Sequence, residues 1–178
     1  MNLKLFFQLP KVEDDLLPNA LGTSILSLNN ENIDLAKVDL AIIGLTENRG
    51  TNNSDGVSEA AKTIRKELYR LKKTKSNYRI IDLGNLQNGD QLEDTYDRLR
   101  EVCEFLMSQR VVPLLLGGTH DLCFAQYKAF ETSNDLISVL NVDAKMDVEV
   151  KGAANQTFLS KLITYKPNFL FSYNHLAH

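Results

Sequence analysis

From Val38 onward the sequence alternates short, almost wholly apolar runs with longer segments of helical period, and few folds accommodate that alternation. The first run, Val38-Asp39-Leu40-Ala41-Ile42-Ile43-Gly44-Leu45, is continuous rather than alternating, which fits a strand buried on both faces. Further strands are expected over Tyr78–Leu83, Val111–Leu116, Leu136–Val142 and Asn168–Tyr173. Between them, a helix is expected from about Ser58, whose hydroxyl suits a cap, with Ala61, Ile64, Leu68 and Leu71 on its apolar face. A second is expected over Gln91–Gln109, with a stripe of Leu92, Tyr96, Leu99, Val102, Cys103 and Leu106. Shorter helices fit Leu122–Phe130 and Thr157–Thr164. Strand and helix in repetition imply right-handed crossovers, and so a three-layer αβα domain with a mainly parallel, doubly wound sheet. Pro113 offers no N–H and belongs near the start of its strand. Residues 1–37 are mixed in character and read as an irregular lead-in to a single domain over 1–178.

Composition narrows the partners. The 178 residues are 43% hydrophobic and 24% charged, with a formal charge of −3, so the chain reads as globular and water-soluble. No basic stripe favours nucleic acid. No apolar run approaches the roughly 20 residues that span a bilayer, and the opening MNLKLFFQLP is too short in its apolar part for a signal peptide. Cys103 and Cys123 form no CxxC pair and are expected as buried free thiols, as in a reducing cytoplasm.

In a sheet of this kind, ligands bind beyond the carboxyl ends of the strands. Three of those ends are polar: Thr46-Glu47-Asn48-Arg49-Gly50, Gly117-Gly118-Thr119-His120-Asp121 and Asp143-Ala144-Lys145-Met146-Asp147. The two glycines allow a sharp turn that presents His120 as a metal ligand or general base; the plainer alternative is a loop histidine bonded to its neighbours. Asp143 and Asp147 point the same way from a strand end, and two near carboxylates need a cation between them. Lys145 stands between them, and a charged amine has donors but no lone pair. The plainer reading of that segment is a solvated loop of mixed charge. His175 and His178 read as a frayed end.

Taken together, these segments resemble the ureohydrolase superfamily of arginases, agmatinases and formimidoylglutamases. That family has a strand ending in a Gly-Gly-Asp-His-Ser-like segment and a following strand ending in Asp-Ala-His-x-Asp. Gly117–Asp121 and Asp143–Asp147 are similar to these, in the same order and at similar spacing. Gly56–Arg65 is similar to the family's arginine-bearing helix after a glycine-rich loop, and Asp82-Leu83-Gly84-Asn85 to its Asp-x-Gly-Asp strand end. The texture is closest to divergent formimidoylglutamases and covers the amino-terminal half of the family pattern.

The resemblance implies hydrolysis of non-peptide C–N bonds in linear amidines by hydroxide made at a manganese pair. It implies His120, Asp143 and Asp147 as metal ligands, a small amidine or guanidino ligand, and a homo-oligomer. The departures imply impairment. Lys145 stands where the family has a histidine ligand, Thr119 where it has an aspartate, and the later Ser-x-Asp-x-Asp-like segment has no counterpart in this sequence. The expectation is therefore little or no bound metal, with Lys145 substituting its charge. The rival reading is a non-catalytic binding or assembly module that keeps only the fold. A nucleotide-binding domain is disfavoured, since no GxGxxG follows the first strand. The family's sheet places two late strands between the third and fourth strands of this sequence. That leaves three possibilities: closure of the gap, filling by a partner, or a fragment of a longer protein.

Overall fold

The computed structural model describes residues 1–9, 15–29, 33–50, 55–75, 77–145 and 157–177. At its centre lies β3 (Leu40–Leu45), in which Ala41, Ile42, Ile43 and Leu45 are all fully buried, as a continuous apolar run requires. Two parallel strands flank it, β4 (Ile80–Leu86) and β5 (Val112–Gly117). The lead-in is less irregular than expected. Its two-residue strands β1 (Phe7–Gln8) and β2 (Leu26–Ser27) both join β4, β1 antiparallel at its end and β2 parallel near its start. Gly84 permits the β1 contact. Its φ is +98°, and a Cβ there would meet the backbone oxygen of Gln8 at 2.5 Å.

Helix α1 (Val57–Arg70) and helix α2 (Leu92–Ser108) make the crossovers. Ser58 does not cap α1; Gly56 does, in the left-handed region, with no side-chain bond. The buried face of α1 is also rotated from the expected one. Ala61, Arg65 and Tyr69 are buried, whereas Ile64 and Leu71 are exposed. The reason is polar: Arg65 and Tyr69 both bond Asp82 beneath the helix. Helix α2 follows its pattern, with Leu99, Val102, Cys103 and Leu106 fully buried and a capping box in which the Gln91 N–H donates to Asp94 at 2.8 Å.

After β5, a 3-10 turn (His120–Leu122) leads into α3 (Cys123–Ala129). Leu122, Ala125 and Ala129 join the main core, while Tyr127 joins a second cluster with Phe158 and Leu162 of α4 (Phe158–Thr164). That cluster supports β6 (Ile137–Val142) and β7 (Leu170–Leu176), which pair in parallel as a separate two-stranded sheet. The architecture is α/β with mainly parallel strands. Closure of the gap is not what forms: among the described residues β6 does not pair with β5. His175 is not a frayed end either. It lies inside β7, where Asn141 Nδ2 donates to its Nδ1 at 3.3 Å; His178 lies outside the described residues. Among the described residues no helix is long and apolar enough to cross a membrane.

Candidate active site at the carboxyl ends of the strands

Ion pairs to buried carboxylates hold the ends of β3 and β4. Glu47, 1% exposed, follows β3 and is held by Arg49 in a two-pronged pair, Nε to Oε1 at 2.9 Å and Nη2 to Oε2 at 2.6 Å. The N–H groups of Asn48 and Arg49 donate to Oε1 at 3.0 Å each, and the Thr95 hydroxyl donates to Oε2 at 2.9 Å. Arg49 also donates to the carbonyls of Gly89 and Asp90, so the pair clamps the end of β3 to the start of α2. Burial by itself would raise the Glu47 carboxyl; the hydrogen bonds from Arg49 and Thr95 more than reverse this and hold it at about 2. At the end of β4, Arg65 Nε donates to Asp82 Oδ2 at 2.6 Å, Tyr69 to the same oxygen at 2.7 Å, and the Gly84 N–H to Oδ1 at 2.8 Å.

The Glu47 clamp makes a testable contribution. Its folded value lies below the ordinary 4.5, so its stabilisation is complete above that value and fades as pH falls from about 4.5 to about 2. Glu47→Gln is expected to lower the melting temperature near neutral pH. The gap from the unmutated protein should close across that window in thermal unfolding scans. A gap that persists unchanged at pH 2 contradicts the assignment.

The end of β5 is organised differently. Gly117 and Gly118, with φ of +78° and +75°, turn the chain so that Thr119, His120 and Asp121 sit at the strand's head. The His120 ring packs against Phe158 of α4, with centroids 4.9 Å apart. Asp121 is buried and accepts a short hydrogen bond from the Tyr96 hydroxyl of α2. Its carboxylate also fills the space where a side chain at Gly50 would stand. Lys161 of α4 donates to the Tyr96 oxygen at 3.4 Å and lies 4.9 Å from the centre of its ring. Burial, and then the Asp121 bond, hold the Tyr96 phenol well above its usual range, so it remains a donor. Phe158 and Lys161, one helical turn apart, thus tie α4 to the head of β5 at two points. Sequence reasoning placed Tyr96 in an apolar stripe and missed Lys161; a lone phenol within such a stripe was the available signal. The Thr119 hydroxyl is buried with no hydrogen-bond partner among the described residues.

At the end of β6, the half-buried Asp143 accepts the Lys145 N–H at 3.1 Å, and its own N–H donates to the Leu176 carbonyl. Lys145 is exposed, and Asp147 lies outside the described residues. Among the described residues no three His, Cys, Asp or Glu side chains are placed together to hold a metal ion. The described donors from the expected set are His120 and Asp143. One imidazole and one carboxylate do not by themselves fit a pair of hard divalent ions.

A mainly parallel α/β fold with polar residues at its strand ends does not by itself fix a function, and comparison with known proteins gives the family. A model of the Arginase family matches residues 38–161, and the chain belongs to that family. It is 27% identical over 125 residues to the formimidoylglutamase of Staphylococcus haemolyticus, covering 67% of this chain and 40% of that protein. It is 26% identical over 130 residues to the human mitochondrial guanidino acid hydrolase, covering 68% and 37%. Among solved structures, the Bacillus subtilis formimidoylglutamase matches 86% of this chain and 50% of its own with a TM-score of 0.68 at 20% identity. A Trypanosoma cruzi formiminoglutamase with Mn2+ matches 76% and 51%, with a TM-score of 0.67 at 18% identity. These structures share the fold. The chain spans about two fifths of the length of these curated relatives.

Proposed function

We propose that this chain carries part of a formimidoylglutamase-like ureohydrolase site, built for linear amidines and guanidino compounds, in which catalysis is lost or impaired. The observation that carries the reading is Lys145. It occupies the middle of Asp143-Ala144-Lys145-Met146-Asp147, where the family pattern has an imidazole, and its backbone N–H donates to Asp143 Oδ1 at 3.1 Å. An ammonium there repels a divalent cation and supplies no lone pair. His120, Asp143 and Asp147 remain the expected ligands, holding manganese weakly or not at all, while Lys145 supplies positive charge beside the two carboxylates. A cytoplasmic setting agrees with the two free thiols: burial pushes Cys103 up to about 12 and Cys123 up to about 11, so both stay protonated.

Calorimetric titration with manganese tests this. The unmutated chain is expected to give no tight binding, and Lys145→His to tighten binding by about 10- to 100-fold, the scale on which perturbing a metal site's supporting groups is felt. Tight manganese binding by the unmutated chain, or release of urea or formamide from an amidine by it, refutes the reading.

A further inference from the structure

At the end of the sheet opposite the candidate active site, the chain gathers positive charge. Arg70, Lys72, Lys73, Lys75 and Arg79 fall within ten residues that hold no Asp or Glu, in a chain whose formal charge is −3. The segment links the carboxyl end of α1 to the start of β4, so it lies at the amino ends of the parallel strands. The seven residues of β4, roughly 20 Å at about 3.3 Å per residue, separate it from the strand ends described above.

A cavity of about 690 Å³ opens there, a size typical of small-molecule sites. Lys72, Lys73 and Arg79 line it, and among the described residues its lining holds no carboxylate. Backbone bonds fix these cations on two separate elements. The Lys73 N–H donates to the Asn19 carbonyl at 2.9 Å and the Leu21 N–H to the Leu71 carbonyl at 2.6 Å, which stitches the lysines to the segment before β2. The Arg79 N–H donates to Asp39 Oδ2 at 2.8 Å, and its carbonyl accepts the Asp39 N–H at 2.9 Å. Asp39 thus holds the Arg79 backbone and not its guanidinium. None of the three cationic side chains has a hydrogen bond or ion pair among the described residues. The dipole of α1 favours cations at its carboxyl end and accounts for Lys72 and Lys73, but not for Arg79 at the start of β4. Much of the remaining lining is apolar, with Leu21, Leu26, Leu71 and Ile80 beside the Tyr78 ring, and Tyr78 is 74% exposed.

We propose that this cavity is a second ligand site, for a nucleoside polyphosphate, with the phosphates on Lys72, Lys73 and Arg79 and the base against Tyr78. Three cations without a carboxylate among them match the several charges of a polyphosphate, and the guanidinium fork suits phosphate oxygens. The apolar lining and the bare phenol ring call for a flat body joined to that charge, which a base supplies by stacking. A dicarboxylate has the charge and no such body. A nucleic-acid strand needs a basic track longer than one cavity. The absent GxGxxG does not bear on this site, because that loop works at the carboxyl ends of strands. The inference stands whether or not the opposite end binds manganese.

Calorimetric titration with ATP tests it, in EDTA and about 150 mM salt, which screens loose surface attraction. The chelator removes any metal bridge between phosphate and the candidate active site. A Kd on the order of 100 μM is expected. Inorganic tripolyphosphate should bind at least about tenfold more weakly, for want of a ring. Lys73→Gln combined with Arg79→Gln should weaken ATP at least about tenfold, while Lys73→Arg alone binds like the unmutated chain. Tyr78→Ala should weaken ATP about tenfold and leave tripolyphosphate unchanged. All three residues are exposed, so the melting temperatures of the variants should match that of the unmutated chain. No binding of ATP up to about 1 mM overturns the proposal. So does tripolyphosphate binding as tightly as ATP, or an ATP affinity that the glutamine and alanine variants leave unchanged. Binding that appears only without EDTA places the phosphates on a metal and also overturns it.

Discussion

Asp82→Ala is expected to cost about 3–5 kcal/mol of stability, because it strands a buried guanidinium. Arg65 and Asp82 have side chains only 6% and 3% exposed and meet at 2.6 Å. Asp82 also accepts from Tyr69 and from the Gly84 N–H, while Arg65 reaches Asn85 at 3.0 Å. Removing the carboxylate leaves three donors without an acceptor under α1. A domain this size has about 5–15 kcal/mol in hand, so the loss takes a large share and lowers the melting temperature on the order of 10 °C. Urea denaturation reads it as a shift in midpoint at constant slope. Adding Arg65→Met to Asp82→Ala is expected to recover much of the loss, since the uncompensated charge goes with it. A single-variant cost below about 1 kcal/mol would mean that water reaches the pair.

That network shows how far sequence reasoning reaches. Arg65 and Asp82 were each picked out by resemblance to separate family segments, and the fold brings them together. The cost of that pairing is why α1 turns its face: a helix rule keyed to apolar residues put Ile64 and Leu71 inward, whereas the charge pair and Tyr69 take the buried positions and leave both exposed. Strand β3 and helix α2 were legible because their burial is written locally, in a run and in a stripe. The tie of Lys161 to Tyr96 joins helices 65 positions apart, and no local period records it. His175 was misread as frayed because β7 runs on to Leu176, its pairing set by β6 rather than by its own composition. The break between β5 and β6 was anticipated only through the family's sheet order, since periodicity names strands and not their neighbours.

Leu162→Ala is expected to cost about 3–5 kcal/mol, and the contrast with Leu140→Ala makes it informative about the break. Leu162 is fully buried in α4, between Tyr127 of α3 and the inner faces of β6 and β7. Truncation there leaves a cavity at the support of the two-stranded sheet, which among the described residues has no ladder to the main sheet to hold it in register. Near-ultraviolet dichroism should register loosening of the tyrosines at 127, 165 and 173, while α2 and the main sheet keep their signal. Leu140 sits on the outward face of the same sheet at 64% exposure, so Leu140→Ala in the isolated chain should fall within about 0.5 kcal/mol of no effect. Urea denaturation of the two variants side by side measures the difference. Equal costs would mean that the outer face of β6 is already covered in the isolated chain.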